Sequence, residues 1–261
     1  MAQPLVLGAA GLVMNRKPDL KPYGVEWVLT RSAVDMPPAG KDINTGYGRL
    51  DAGWAVNGPL TIAPVADTFV TEVNPNQTRG DSPDLRVKEP GSSEKWIFLR
   101  FDATNITKHQ GALLRLRANS ITWGIDGAGS LYKITNNSWS EAATTWNNRP
   151  LETGTLICNL DDPYVGGATS GQWVEVDVSA HFTPGAVNNF VIREEPGQGE
   201  AEFRSRESAN PPEVVVMRCA GCGCKGATPY VTASSNLSLL ALALAAAGFR
   251  KPRRTRQESS R

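Results

Sequence analysis

Ala112-Leu113-Leu114-Arg115-Leu116-Arg117 ends in a strict alternation of leucine and arginine. Residues two apart on a strand share a face, so Leu114 and Leu116 are expected to point into a core and Arg115 and Arg117 outward. The surrounding chain has the same texture. Between Gly58 and Val216, short alternating runs are broken by Gly, Pro, Asn and Asp at close spacing, the pattern of an all-β sandwich or barrel. Strands are predicted over 67–71, 85–88, 95–101, 112–118, 130–135, 173–178, 189–193, 201–205 and 213–217. These suffice for two packed sheets, and no helix of ordinary length is visible in the segment. The expected fold is mainly β: an antiparallel, jelly-roll-like β-sandwich over 58–218, preceded by a short helical segment over 1–57 and followed by a hydrophobic helix within 219–261.

Several fragments of this segment resemble the DNRLRE domain, also classed as carbohydrate-binding module family ninety-six. They are Ala66-Asp67-Thr68-Phe69-Val70, Leu85-Arg86-Val87, Leu99-Arg100-Phe101-Asp102, Ala112-Leu113-Leu114-Arg115-Leu116, Trp139-Ser140-Glu141 and Thr145-Trp146-Asn147-Asn148-Arg149-Pro150. Trp173-Val174-Glu175-Val176-Asp177-Val178 and Phe203-Arg204-Ser205-Arg206-Glu207-Ser208 complete the set. The resemblance implies a β-sandwich carried by secreted and surface proteins, and a polysaccharide or matrix glycan as partner. Some members of the resembled family bind uronate-rich chains.

Seven tryptophans invite a sugar-stacking reading, because an indole offers a flat apolar platform with a polar edge. Trp96 lies on the face opposite Ile97, Leu99 and Phe101, either exposed or packed under a loop. Trp139 and Trp146 fall in a polar stretch, where large aromatics more often pin a loop than meet a ligand. Trp173 opens an alternating strand and reads as core. Trp123, beside Gly124 and Gly127, is the freer candidate. Basic residues also alternate: Arg86 and Lys88, Arg115 and Arg117, Arg204 and Arg206 occupy every second position of three predicted strands. On neighbouring strands they would form one positive face suited to a carboxylate-bearing glycan. Interleaved with Glu175, Asp177 and Glu202, they would instead be an ordinary solvated face. Asp67, Asp81 and Asp84 could contribute to a calcium site or simply form turns. No metal ligands or catalytic residues are assigned, and His109 and His181 read as isolated surface residues.

The first 57 residues have a different character. Met1 to Leu12, Pro18-Asp19-Leu20, Val25 to Thr30, Ala33-Val34-Asp35, Gly40-Lys41-Asp42 and Gly46 to Ala52 follow, in order, the pieces that close a subtilase domain after its nucleophilic serine. Leu5 stands where that family usually has His. The resemblance implies a protease remnant without its triad, since nucleophile, base and orienting carboxylate must lie within hydrogen-bond reach. Residues 5–14 are apolar around the whole helix circumference, and such a helix is expected to be buried on every side.

At the other end, Cys219, Cys222 and Cys224, the apolar run 237–249 and the basic run 250–256 resemble the MYXO-CTERM sorting region. That resemblance implies processing near Cys222 and Cys224, sorting machinery and membrane as partners, and a secreted or outer-surface location. A disulfide or a metal site are the other readings of the cysteines, although a closed zinc site wants four ligands. Twenty-seven basic against 26 acidic residues leave a net charge of +1, so there is no basic excess of the kind nucleic-acid binders carry. The expectation is a surface-displayed binding module for an acidic polysaccharide, once the accessory domain of a secreted protease. The alternatives are a subtilisin-like endopeptidase whose start is mis-set, and a ligand-free spacer.

Overall fold

The stretch 112–117 lies in a fourteen-residue strand, β5 (His109–Thr122), that is buried on both faces for most of its length. In the computed structural model, which describes residues 3–91, 93–122, 128–160, 169–194 and 199–219, this strand organises the rest. Its first part pairs with β11 (Glu213–Arg218) on one side and β8 (Trp173–Asp177) on the other, and its last part with β10 (Glu200–Arg204). The chain order begins with β1 (Pro59–Ile62), β2 (Pro64–Thr71), β3 (Asp84–Lys88) and β4 (Lys95–Asp102), with β6 (Ser130–Ile134), β7 (Thr155–Asn159) and β9 (Val187–Arg193) completing the set. The ladder runs β1-β11-β5-β10-β3-β4-β9-β6-β7, with β2 added to β4 and β8 to β5. The strand pairings among the described residues are all antiparallel, and in place of the two separate sheets expected, one sheet curls on itself through β5 so that its two halves share a core.

The alternation explains the core between them. Leu114, Leu116, Val174, Val176, Val214 and Val216 come from one half; Leu85, Val87, Ile97, Leu99, Phe101, Phe190 and Ile192 come from the other. All nine predicted strands are present. The two that were not predicted, β1 and β7, are short and half exposed, with no two-residue burial rhythm to betray them. As expected, no helix falls between Gly58 and Val216 among the described residues.

The outward face of β5 and β11 is not solvated. Three helices, α1 (Gln3–Arg16), α2 (Pro22–Ser32) and α3 (Ala52–Asn57), lie over it. Val13, Leu20, Val25, Trp27, Val28 and Ala55 pack there against Leu113, Val215 and Met217. Asp51 caps α3 by accepting the Trp54 N–H at 2.8 Å, satisfying an amide that the first turn leaves open. The described residues thus form one compact unit. Only Ala9 and Val13 of α1 are buried, while Leu5 is 70% and Leu7 75% exposed; the burial on all sides expected of this helix is not found.

That cover overturns the outward assignment of Arg115, which is fully buried. The register sets it directly between Glu175 on β8 and Glu213 on β11. Its Nε donates to Glu175 Oε1 at 3.0 Å, and Nη1 donates to Asp19 Oδ2 at 3.0 Å and to Glu213. Nη2 donates to the Asp19 carbonyl at 2.7 Å. Burial alone would lower the guanidinium pKa, but Glu213, Glu175 and Asp19 outweigh it and raise the pKa above its ordinary value. Glu175 is equally buried and also accepts the Lys21 N–H at 3.1 Å. A Cβ at Gly24 would come within 2.4 Å of the Glu175 carboxylate, so the close approach of α2 requires glycine. Trp173 is buried as expected, but on this outer face, stacked beneath Arg115 at 4.4 Å. His109 is buried too, not a surface residue: its Nε2 lies 3.1 Å from the Phe182 carbonyl and its ring sits edge-on to Phe182.

Trp123, Cys222, Cys224 and the apolar run 237–249 lie outside the described residues. Among those described, no helix is long and apolar enough to cross a membrane. Removing one partner from a buried ion cluster strands the others in low dielectric, at a cost of about 3–5 kcal/mol. Arg115→Ala should therefore lower the urea midpoint by that equivalent; a change of the size seen for an exposed arginine would show that the cluster does not hold the layers together.

Candidate functional site

The structure distributes the six basic residues singled out in the sequence over three places. On β3 and β10 the register sets Lys88 opposite Glu200, Arg86 opposite Glu202 and Asp84 opposite Arg204. Each cation therefore meets an acid: Arg86 and Glu202 at 2.9 Å, Arg204 and Asp84 at 2.8 Å, Lys88 and Glu200 at 3.9 Å. Lys95 of β4 shares Glu200. The single positive face is not formed, because acids on the partner strand answer the basic alternation. Arg115 is under the helices. Arg117 lies across from Trp173, with its guanidinium 5.9 Å from the ring. Arg206 sits in the turn after β10, between Glu141 at 3.1 Å and Glu207 at 3.3 Å.

The outer face of the opposite half carries a different chemistry. Trp96 on β4 does face away from Ile97, Leu99 and Phe101, which belong to the main core. Beside it, Phe98, Val191 and Ile134 line the same outer surface, and the segment 135–154 folds down over them. Glu152 closes this loop by accepting the backbone N–H groups of Thr135 and Asn136 at 2.8–3.1 Å. Trp139 pins it: the ring is 4% exposed, stands 5.7 Å from Phe98 and donates its Nε1–H to Asn189 Oδ1 at 3.0 Å. Arg100 stacks on that indole at 4.2 Å and donates to the Trp139 carbonyl at 2.9 Å.

Past the pinned part, the loop leaves aromatic rings half exposed. Trp96 and Trp146 meet edge to face at 5.9 Å. The Arg149 guanidinium lies 3.4 Å from the Trp146 ring centre and 4.5 Å from that of Trp96. Arg193 approaches Trp96 at 5.0 Å and Tyr132 at 4.1 Å. Trp96 is oriented by donating its Nε1–H to Glu94 Oε1 at 2.6 Å. Arg193 donates to the Thr153 carbonyl at 2.7 Å and Arg149 to the Trp146 carbonyl, while Arg149 Nε is buried without a partner among the described residues. Among the described residues neither guanidinium forms an ion pair. Burial lowers the Arg149 pKa below its ordinary value, with Glu94 and Glu72 offsetting part of the effect. The arrangement can present flat apolar rings and forked donors to one ligand.

Of the three aspartates considered for calcium, Asp84 pairs with Arg204 and Asp81 is exposed. Asp67 instead lies with Glu141 and Glu207, one carboxylate oxygen from each being within 4.8 Å of the others. Neither glutamate could be grouped with Asp67 from sequence spacing, since both lie on distant loops.

Residues 59–218 match the model of carbohydrate-binding module family 96. The chain belongs to that family. No curated protein matches it. Family 96 modules bind rather than catalyse, and the matched segment runs from the first residue of β1 to the last of β11, so all eleven strands belong to the module and the three helices lie outside it. Carbohydrate is accordingly the class of partner, as the sequence resemblance implied.

The two outer faces should respond differently to mutation. Trp139→Ala removes a buried anchor and should cost about 3–5 kcal/mol. Arg86→Ala breaks a half-exposed cross-strand pair and should cost at most about 1 kcal/mol. Chemical denaturation of both variants checks the ranking.

Proposed function

We propose that this family 96 module binds an acidic, uronate-bearing polysaccharide on the face formed by Trp96, Trp146, Arg149 and Arg193. One observation carries the reading: among the described residues Arg149 and Arg193 are stacked on half-exposed tryptophans and form no direct ion pair, Glu94 and Glu72 acting on Arg149 only from a distance, whereas Arg86, Lys88, Arg115, Arg204 and Arg206 are each paired to an acid. A ligand carboxylate must compete with an internal acid at each of the paired cations. At Arg149 and Arg193 it meets donors held by ring stacking, so little ordering entropy is lost on binding. Arg117 also lacks an ion pair among the described residues, but its companion Trp173 is buried and offers no platform for a sugar.

Affinity electrophoresis of the full chain in gels containing a polyuronate or a neutral glucan tests this. Retardation by the polyuronate should exceed that by the glucan, and Arg149→Ala with Arg193→Ala should weaken it at least about tenfold, equivalent to about 1.4 kcal/mol. Arg86→Ala with Lys88→Ala should leave it unchanged. Equal retardation by both polymers, or loss only in the second pair, would refute the assignment; no retardation by any polysaccharide would favour the spacer.

We also propose display at the cell surface, on the strength of the resemblance of the tail to a MYXO-CTERM region. Replacing Cys222 and Cys224 by Ser should then release the protein into the medium, and unchanged retention would remove the cysteine step. A subtilase origin for residues 1–57 is supported by the order of their motifs and by the apolar side chains Leu5, Leu7, Leu12 and Met14 left exposed on α1.

A further inference from the structure

At one edge of the sandwich, three distant stretches of chain bring acids together: Asp67 on β2, Glu141 in the loop after Trp139, and Glu207 in the turn after β10. Asp67 is 1% exposed. Its Oδ2 accepts the Arg206 N–H at 2.8 Å, and its Oδ1 is buried with no partner among the described residues. Leaving a carboxylate oxygen buried and unmatched is costly, so a proton or a cation is needed to answer it. Arg206 supplies one positive charge for the three carboxyls, and its guanidinium is already committed to Glu141 Oε2, Glu207 Oε1 and the Val65 carbonyl.

We infer that Asp67, Glu141 and Glu207 form a divalent cation site, and that the cation is calcium. Two independent observations support it: the convergence of three carboxylates and the orphaned oxygen of a buried one. Oxygens bound to a single Ca2+ at about 2.3–2.6 Å can be no more than about 5 Å apart, and the three carboxylate oxygens, all within 4.8 Å of one another, meet that limit. Magnesium demands a near-ideal octahedron with bonds of about 2.0–2.1 Å and gives up its water reluctantly, so a site of converging protein carboxylates suits it less well than calcium. Glu141 is half-buried and Glu207 exposed, which leaves room for water to complete the large and irregular shell that calcium accepts. The ion would tie edge strand β2 and the turn after β10 to the loop that goes on to Trp146 and Arg149.

The test uses the full chain, stripped with a chelator and titrated with CaCl2 or MgCl2 in a calorimeter, with thermal unfolding followed in parallel. One saturable calcium event and a rise in Tm are expected, with magnesium at least tenfold weaker. Asp67→Asn and Glu207→Gln should each abolish the heat and the Tm rise. Asp67→Asn also removes a buried charge and should not lower the Tm of the stripped protein, which separates lost binding from lost folding; Glu207→Gln, at an exposed position, provides a second variant expected to fold. Absence of calcium heat, retention of it in both variants, or an equal magnesium response would overturn the assignment.

Discussion

A guanidinium with no exposed surface holds this molecule's layers in place. Arg115 stands at the same register as Glu175 and Glu213 on the strands to either side, and Asp19 reaches it from the connection between α1 and α2. Lys17 adds a bridge to Glu213 at 2.8 Å. Such a cluster contributes little net stability compared with a well-packed apolar replacement. Its effect lies in specificity. Slipping either neighbouring strand by one residue would set a carboxylate against leucine and turn the apolar set away from the core. Moving the helices would uncover the guanidinium and the leucine, valine and methionine beside it.

The strands were legible because a half-buried strand writes its burial into every second residue, and Leu114 and Leu116 point inward as the rhythm demands. The same rhythm misled at Arg115. Polar alternation marks the face that does not enter the main core, and solvent is only one of the things that can lie there. One strand cannot reveal that its second face is roofed by helices whose own ligand, Asp19, is 96 residues away in the chain. Strands β1 and β7 escaped for the opposite reason: at the ends of the ladder they are half exposed, so their side chains are not sorted into two sets.

The site was legible in its parts. The opposite-face position of Trp96 and the anchoring role of Trp139 followed from period and context. The choice between paired and unpaired arginines did not, because Glu200 and Glu202 neutralise Lys88 and Arg86 only through a cross-strand register that the sequence does not display. Arg149 gave no strand-period signal at all, since it belongs to a loop. Its place on Trp146, three residues earlier, depends on the turn between them and on Glu152 closing the loop behind it.

The helical roof and the tryptophan surface lie on opposite flanks, with the shared core between them. The proposed ligand flank is therefore separated from the helices by the whole thickness of the core. If a polysaccharide is held on the tryptophan flank as proposed, the helices stand away from it, and whatever they carry stays clear of the bound polymer.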